Sequence, residues 1–390
     1  MLFEVRGDLS VVETVSELIE NAVSYRASDI HLEPSKNCLN VRCRVDGVLI
    51  PVGSLSDSVK QQVVSRVKVL ANIDISEKRI PQDGKFNFFL LDRTVDLRVS
   101  TFPSIYGENV VIRILDSSNQ TLSLDELGFE EDVLSLYRDL VSHSSGFFLV
   151  TGPTGSGKTT TLYATLSEFK SPEKNIITLE DPVEYNIDGV VQGQVNNQAG
   201  FTFAKGMRSL LRQDPDIAMI GEIRDKETAG VAVEAALTGH LVFSTLHTND
   251  APGAIMRLLD MGVEPFLINA SVSGVLAQRL ARKLCQNCKK QILPDEHEKT
   301  ILRRLKLDLK TLWKSSGCQK CCNVGYKGRV GLFELLKMTS NLRSLIIHDP
   351  HFDKIHKQAE LDGMKTLKED GLQKVKDGII SMQEFVRVIL

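Results

Sequence analysis

The sequence lacks a long apolar run and lacks a strong net charge of either sign. No stretch approaches the roughly 20 apolar residues that a membrane-spanning helix needs, and Met1 to Asp8 has no apolar core of the kind found in a signal peptide. The net charge of −3 argues against a basic surface over the whole chain for nucleic acid, although it leaves room for a local patch. We therefore expect a cytoplasmic protein that reaches a membrane only through partners.

Cysteine is also scarce, with seven residues in a chain of 390, but the cysteines are clustered. In a reducing compartment such clustering suggests a metal site before a disulfide. Two C-x-x-C pairs, Cys285 with Cys288 and Cys318 with Cys321, are separated by 29 residues. Four thiolates at this spacing can close a tetrahedral Zn²⁺ site, which would be structural because no coordination position stays open. Free or redox-active cysteine is the alternative. Cys322 is then a spare thiol, and Cys38 and Cys43 are expected to be small buried strand residues.

What the chain does contain is a glycine-rich stretch at residues 151–160, TGPTGSGKTT, between an apolar run and a helical pattern. Gly152 and Gly157-Lys158-Thr159 match G-x-x-x-x-G-K-[ST] at every fixed position. Glycines let backbone N–H groups turn inward around phosphates, Lys158 can reach the β- and γ-phosphates, and Thr159 can bind Mg²⁺. The alternative is a flexible turn between strand and helix. The predicted nucleotide-binding residues of the loop are Gly152, Pro153, Thr154, Gly155, Ser156, Gly157, Lys158, Thr159 and Thr160.

The patterns along the chain divide it into two domains. Residues 1–115 alternate short apolar strands with two helices, as in an α+β module, and the polar residues 116–121 are typical of a linker. Residues 122–390 then alternate buried strands and helices, which predicts an α/β fold with a parallel sheet covered on both faces. Within this second domain we expect a hairpin-like stretch at 189–195, an insertion at 282–330 with a helical, charged excursion at 296–313, and a mostly helical tail at 331–390.

Acidic and histidine residues follow the predicted strands of the second domain. In parallel sheets ligands bind at the carboxyl ends of strands, and Glu180-Asp181, Glu222 and His247 all fall at such ends. Glu222 takes the place of the Walker B acid, where aspartate is more usual, and would act on Mg²⁺ or on the attacking water. Helix capping or a solvated loop charge is the alternative for each carboxylate. His240 and His247 flank a buried strand, so a phosphate-sensing role competes with an ordinary structural hydrogen bond.

Several motifs together resemble the type II secretion and type IV pilus assembly ATPases of the secretion ATPase superfamily. Residues 177–184, ITLEDPVE, are similar to the Asp box of that family, residues 212–225 to its atypical Walker B, and residues 238–248 to its His box. Residues 28–34, 81–84 and 96–100 are similar to its second N-terminal domain. The paired C-x-x-C motifs, followed by residues 325–329, GYKGR, match the secretion and extension branch rather than the retraction branch.

The resemblance implies a homohexamer of RecA-like domains, each joined by a flexible linker to a PAS-like N-terminal domain. It implies Mg²⁺-dependent ATP hydrolysis between the two domains, with Arg98 and Arg113 reaching the phosphates from the N-terminal domain. Further phosphate or subunit-interface contacts are implied for Arg208, Arg212, Arg224 and Arg329. The implied catalytic residues are Lys158, Glu222, Glu180, Arg98, Arg113 and His247.

The function expected from the resemblance is a motor that powers type II protein secretion or pilus-like assembly at the cytoplasmic face of the inner membrane. Its partners would be inner-membrane platform proteins, with no nucleic acid. Many family members carry a further N-terminal docking domain, and almost nothing precedes Val11, so docking is expected through another surface or a separate polypeptide. One rival is a nucleic-acid translocase or helicase on the same fold. A second is a non-hydrolysing, nucleotide-gated scaffold, against which Lys158 and Glu222 argue.

Overall fold

A computed structural model describes residues 10–91, 93–116 and 122–390 of the chain. The chain divides into two compact units. The first combines Met1–Gln120 with Leu284–Lys290 and Lys314–Gly328, and the second combines Thr121–Lys283 with Gln291–Trp313 and Arg329–Leu390. Most of the expected linker, residues 117–121, lies outside the described residues. Among the described helices, none is long and apolar enough to cross a bilayer.

The first unit contains a six-stranded antiparallel sheet with the strand order β3-β2-β1-β6-β5-β4. Helix α1 starts at a capping box in which Ser10 and Glu13 bond each other's backbone N–H groups, and its apolar face is buried. The predicted turn at Asp46-Gly47 is confirmed, with both residues at positive φ. The elements are α1 Val11–Ser24, β1 Ala27–Pro34, β2 Cys38–Val45, β3 Val48–Ser56, α2 Asp57–Leu70, β4 Gln82–Phe89, β5 Thr94–Ser104 and β6 Gly107–Leu115.

The rest of the chain is organised around a seven-stranded sheet with the strand order β15-β12-β7-β11-β10-β8-β9. Along β7 the side chains alternate, so that Phe147 and Leu149 enter one apolar core while Phe148 and Val150 enter another. The predicted α/β architecture with both sheet faces covered is therefore confirmed. The first group of elements is α3 Glu131–Val141, β7 Gly146–Thr151, α4 Lys158–Phe169, β8 Ile176–Glu180, β9 Val191–Gln194, α5 Phe203–Leu210, β10 Ile217–Ile220, α6 Lys226–Leu237 and β11 Leu241–Leu246. The second group is α7 Ala251–Asp260, α8 Pro265–Ser271, β12 Val272–Leu284, β13 Lys289–Ile292, α9 Glu296–Arg304, β14 Leu312–Ser315, β15 Tyr326–Lys337, α10 Ser340–His348, α11 Phe352–Leu361, α12 Leu367–Lys376 and α13 Met382–Ile389.

Two expectations about local structure need correction, and a third holds except at its first residues. The hairpin expected at 189–195 is wrong, because β9 runs parallel to β8 with Val191 opposite Ile177. The excursion at 296–313 is helical only in α9, and its end joins the two-stranded ribbon of β13 and β14. The mostly helical tail at 331–390 is confirmed by α10 to α13, although its first residues belong to β15, whose apolar residues are buried. In each case the strand forms by pairing with another element, and the local residue pattern does not show that pairing or its direction.

The C-terminal helix α13 is fastened to β12 by a buried carboxylate. Glu384 has no exposed side-chain surface, and it accepts hydrogen bonds from the Arg282 backbone N–H at 2.8 Å and from Arg387 Nε at 2.8 Å. Arg282 also donates from Nη2 at 2.8 Å. Burial alone would raise the pKa of Glu384, but the two arginines outweigh it and lower the pKa to about 2.

We predict that Glu384→Ala destabilises the protein by about 3–5 kcal/mol, because it leaves the largely buried Arg282 without its carboxylate. Since the folded pKa lies below the unfolded value of about 4.3, this stabilisation should be present above that pH and be lost as the pH falls toward 2. Urea unfolding at several pH values measures both effects. The exposed Glu296–Lys299 pair supplies the control, and Glu296→Ala should change little. Equal unfolding midpoints for wild type and Glu384→Ala at neutral pH would contradict the prediction.

Candidate functional site

The glycine-rich loop connects the end of β7 to the start of α4 and is shaped by three positive-φ glycines. Gly152, Gly155 and Gly157 have φ of 146°, 77° and 88°, conformations that residues with a Cβ rarely adopt. A Cβ on Gly152 would lie 2.4 Å from the Gln278 carbonyl oxygen. Gly157 is the N-cap of α4, so the positive end of this helix faces the loop, as in phosphate sites.

Lys158 is a buried cation held by the loop itself. Its side chain is 9% exposed, and Nζ donates to the carbonyl oxygens of Gly152 at 2.9 Å and Pro153 at 3.2 Å. Burial lowers the pKa of Lys158, and the charge of Glu222 opposes that shift. An arriving phosphate would offer this cation anionic oxygens in place of neutral carbonyls, which is the stronger kind of hydrogen bond.

Glu222 lies just beyond the carboxyl end of β10, within a cluster of charged side chains. Its carboxylate pairs with Arg224 and lies 3.4 Å from His247 Nε2. Burial alone would raise the pKa of Glu222, but Arg224 and then His247 outweigh it, so the pKa falls below its ordinary value. The side chain is 18% exposed. Glu222 is therefore an ionised carboxylate with access to solvent, able to bind a metal-held water or orient an attacking one.

Glu180 is the last residue of β8 and has a different environment. It is 3% exposed, and its carboxylate accepts hydrogen bonds from the Tyr163 hydroxyl, from Thr178 Oγ1 at 2.6 Å and from Gln192 Nε2 at 3.2 Å. Burial is the largest cause that raises the pKa of Tyr163, and the neighbouring Glu180 raises it further. The Tyr163 hydroxyl therefore stays protonated and donates. Tyr163 lies on α4, and hence the helix that begins at the phosphate loop holds Glu180 in place.

The histidine loop after β11 is joined to the first residue of the phosphate-loop stretch. Thr151 Oγ1 lies 2.7 Å from Thr248 Oγ1, and it also accepts the Thr248 backbone N–H at 3.0 Å. His247 itself is half exposed and faces Glu222. His240, at the other end of the strand, bonds the Ala235 carbonyl through Nδ1 at 3.0 Å, as the structural alternative for this residue expects. The carboxyl ends of β7, β8, β10 and β11 thus carry the loop, Glu180, Glu222 and His247.

The arginines expected at the site occupy both units. In the second unit, Arg212 Nη1 donates to the Arg208 carbonyl at 2.8 Å, and Arg208 pairs with Glu227 at 2.7 Å. Arg329 is exposed and is the first residue of Arg329–Leu390, the last segment of that unit. In the first unit, Arg98 on β5 lies directly opposite Arg113 on β6. Both are on the exposed face of the sheet, and Arg113 Nε bonds Asp29 at 3.1 Å.

Two polar side chains near the site, Tyr163 and Gln278, have no signal in the sequence that indicates their role. Tyr163 fixes Glu180, as described above, and the buried Gln278 of β12 bonds both the loop and α4. Neither residue belongs to the phosphate-loop, Asp-box, Walker B or His-box motif. Gln278 is separated from the residues that it contacts by more than a hundred positions, so no local pattern in the chain indicates the contact.

The four cysteines of the two C-x-x-C pairs are brought together in the first unit. Their Sγ atoms all lie within 4.8 Å of one another, with Sγ–Sγ distances of 3.8 Å for Cys285–Cys318, 3.8 Å for Cys288–Cys321 and 3.7 Å for Cys318–Cys321. A tetrahedron with Zn–S bonds of about 2.3 Å has edges of about 3.8 Å. The donor set therefore fits a zinc ion. Cys322 takes a left-handed conformation beside the cluster and is not part of it.

Hydrogen bonds favour a thiolate at two of the four sulfur atoms, whereas burial raises the pKa of a third, Cys288, to about 12. Cys321 Sγ accepts the backbone N–H groups of Cys318 at 3.2 Å and Gly325 at 3.3 Å. The Asn287 side-chain amide donates to Cys318 Sγ and, as the largest cause, lowers the pKa of that thiol to about 6. In the same unit the Gly328 N–H donates to Asp46 Oδ2 at 2.8 Å, which joins the chain after the cysteines to the β2–β3 turn. Of the other two cysteines, Cys43 is fully buried, whereas Cys38 is only half buried.

A family model described as Type II/IV secretion system protein matches residues 4–387. The chain belongs to this family. It is 47% identical over 387 residues to the type II secretion system ATPase E of Vibrio cholerae, covering 99% of this chain and 77% of that protein. It is 47% identical over 375 residues to the type IV pilus assembly ATPase PilB of Thermus thermophilus, covering 95% of this chain and 42% of PilB.

A solved structure of the pilus retraction motor PilT with bound ADP has a TM-score of 0.62 to this chain at 26% identity, covering 95% of this chain and 96% of PilT. These comparisons confirm the resemblance drawn from the motifs. The chain is an ATP-hydrolysing enzyme of the secretion and pilus assembly ATPase family, with the mixed α/β fold of such ATPases.

We predict that the purified protein contains about one zinc ion per chain. Cys321→Ser should lose the metal because it removes one of four ligands, whereas Cys322→Ser, at the neighbouring thiol outside the cluster, should keep it. Elemental analysis by mass spectrometry measures the metal, and circular dichroism reports folding. A metal-free protein that is fully folded would exclude a structural zinc.

Proposed function

We propose that the chain is a Mg²⁺-dependent motor ATPase that assembles as a homohexamer and drives type II secretion or type IV pilus-like assembly. It would act in the cytoplasm, at the inner face of the inner membrane, through inner-membrane platform proteins. The observation that carries this proposal is the convergence of the phosphate loop, Lys158 and the ionised Glu222 at one edge of the parallel sheet. The relatives named as secretion and pilus assembly ATPases support the choice of apparatus.

In the proposed reaction, the loop N–H groups and Lys158 would bind the phosphates of ATP, and the Thr159 hydroxyl would help to hold Mg²⁺. The metal would neutralise charge on the phosphate oxygens when bound. Glu222 orients the attacking water, and Arg224 and His247 keep its carboxylate ionised and in place. Glu180 is better suited to a supporting role, because all the hydrogen bonds described for its carboxylate come from protein groups in a buried setting.

We further propose the domain assignments that follow from the family. The second domain, residues 122–390, would be a RecA-like ATPase domain with the C-terminal helices, and residues 1–115 would be a PAS-like domain. The zinc module interrupts the second domain in the chain, but its cysteines belong to the first compact unit. Arg98 and Arg113 would bind phosphate oxygens from that first domain, with Arg212 and Arg224 as further nucleotide contacts. Guanidinium groups suit this task because one guanidinium can donate two parallel hydrogen bonds to the oxygens of a phosphate. Zinc would be structural, as the closed four-thiolate set indicates.

We predict that Glu222→Gln retains nucleotide binding but loses about 10²-fold or more of ATP turnover, because the amide cannot act as a base. Glu234→Gln, the same change at an exposed position of α6, should behave as wild type. Steady-state phosphate release and equilibrium binding of ADP measure the two effects. Glu180→Gln should lose less turnover than Glu222→Gln; the opposite order would assign the water-activating role to Glu180.

The choice between a secretion motor and a nucleic-acid translocase is tested by what stimulates turnover. We predict that membranes containing the inner-membrane platform proteins raise ATP hydrolysis and retain the protein in a pull-down, because a motor works fastest when its cycle is coupled to its partner. Single- or double-stranded DNA should leave the rate unchanged. Stimulation by DNA with no response to platform membranes would favour the translocase. The near-neutral charge and the family relatives do not favour that outcome.

A further inference from the structure

Gln278 lies directly behind the phosphate loop, although it is far from the loop in sequence. Strand β12 pairs in parallel with β7, and Ala277 is opposite Thr151, the last residue of β7. Gln278 therefore follows at the level where the loop leaves the sheet. Its side chain is only 2% exposed, and a buried amide needs partners for both its donor and its acceptor.

Both ends of the Gln278 amide have partners in the loop and its helix. Nε2 donates to the Ser156 carbonyl oxygen at 2.7 Å. Oε1 accepts from Thr161 Oγ1 at 2.8 Å. The Ser156 carbonyl sets the orientation of the amide, because it can only accept and the reversed amide would place two oxygen atoms against each other there. The Thr161 hydroxyl then donates to Oε1. One buried side chain connects strand β12, the loop and the first turns of α4.

The bond to Ser156 determines which way the following N–H group points. A trans peptide unit is planar, with its C=O and N–H directed to opposite sides. When Gln278 holds the Ser156 carbonyl against β12, the Gly157 N–H of the same unit is turned away from β12, toward the inside of the loop. Inward N–H groups are what a phosphate-binding loop supplies to the anion, and an inward carbonyl would repel it.

The backbone of the loop is pressed against the same residue at two further points. A Cβ on Gly152 would lie 2.4 Å from the Gln278 carbonyl oxygen, and one on Gly157 would lie 3.1 Å from Gln278 Nε2. Contact with Gln278 therefore excludes a side chain at Gly152 and disfavours one at Gly157. This contact leaves the loop little freedom to turn the Ser156–Gly157 peptide over.

We propose that Gln278 is a positioning residue for nucleotide binding, which holds the Ser156–Gly157 peptide of the empty loop in its phosphate-binding orientation. The proposal rests on the phosphate loop being the nucleotide site. Without Gln278 the empty loop samples other orientations, and part of the binding energy of the phosphates is used to restore the correct one. The bound phosphates themselves then hold the loop, so the loss falls on binding rather than on turnover at saturation.

The test compares two variants that loosen this contact. Gln278→Met keeps the length of the side chain and removes both hydrogen bonds, and it should weaken ADP binding about tenfold, the equivalent of one or two net hydrogen bonds. Thr161→Val removes only the hydrogen bond to Gln278 Oε1 and keeps the bond to Ser156, and it should weaken binding about threefold. Both variants should raise KM for ATP while kcat changes by less than about twofold. In nucleotide-free protein, amide hydrogen exchange of a peptide covering residues 152–160 should become faster.

Thr165→Val is the matched control, because Thr165 is also fully buried on α4 and its hydroxyl bonds Tyr137 at 2.6 Å and the Thr161 backbone carbonyl at 2.8 Å, but neither Gln278 nor the Thr161 hydroxyl. It should lower thermal stability and leave ADP affinity and loop exchange unchanged. Wild-type ADP affinity in Gln278→Met, or an equal loss in Thr165→Val, would overturn the proposal. If Gln278→Met does not fold, Thr161→Val decides in the same way. Lys158→Ala separates the two levels of the claim: normal ADP binding in that variant would refute the nucleotide site itself.

Discussion

The site depends on one constraint, the parallel pairing of β7, β8, β10 and β11. Parallel strands all end at the same edge of a sheet, and the residues that follow them must meet there. This is why segments separated by almost a hundred residues converge, with Thr151 before the phosphate loop bonded to Thr248 of the histidine loop. The flanking cores cover both faces of the sheet and leave its edge as the place where polar groups gather.

The two glutamates at this edge, Glu180 and Glu222, have different environments. Glu180 is enclosed by donors from α4, β8 and β9 and has little contact with solvent. Glu222 keeps solvent access and is balanced by a guanidinium and an imidazole. The two glutamates are therefore suited to different roles: Glu180 fixes the geometry of neighbouring elements, and Glu222 can act on a ligand. Tyr163 lies on α4, the helix that starts at the phosphate loop, and its hydroxyl donates to Glu180, so the position of this buried carboxylate depends on that helix.

Much of this arrangement could be predicted from the sequence, and the limits have physical causes. The phosphate loop, the positions after β8, β10 and β11, and the cysteine pairs are visible because their chemistry requires fixed residue types at short spacing. The alternation of strands and helices also predicted the α/β class. The parallel pairing of β9 with β8, the strand character of β15 and the contacts of Gln278 were not predictable in this way, since each depends on a partner outside the local segment. The Asp box gave Glu180 as a candidate but did not show that Tyr163 and Gln192 enclose it.

The Asp46–Gly328 hydrogen bond has a consequence for biosynthesis. The sheet of the first unit has its own apolar core, formed by residues that are all translated before residue 116. The cysteine cluster and Gly328 belong to the same compact unit but are translated about two hundred residues later. Domains generally fold in the order of synthesis. This sheet would therefore fold before the four cysteines of the cluster have been synthesised. Acquisition of the metal would then be among the last steps of folding, and an N-terminal fragment ending before residue 116 would leave the Asp46 carboxylate without its Gly328 partner.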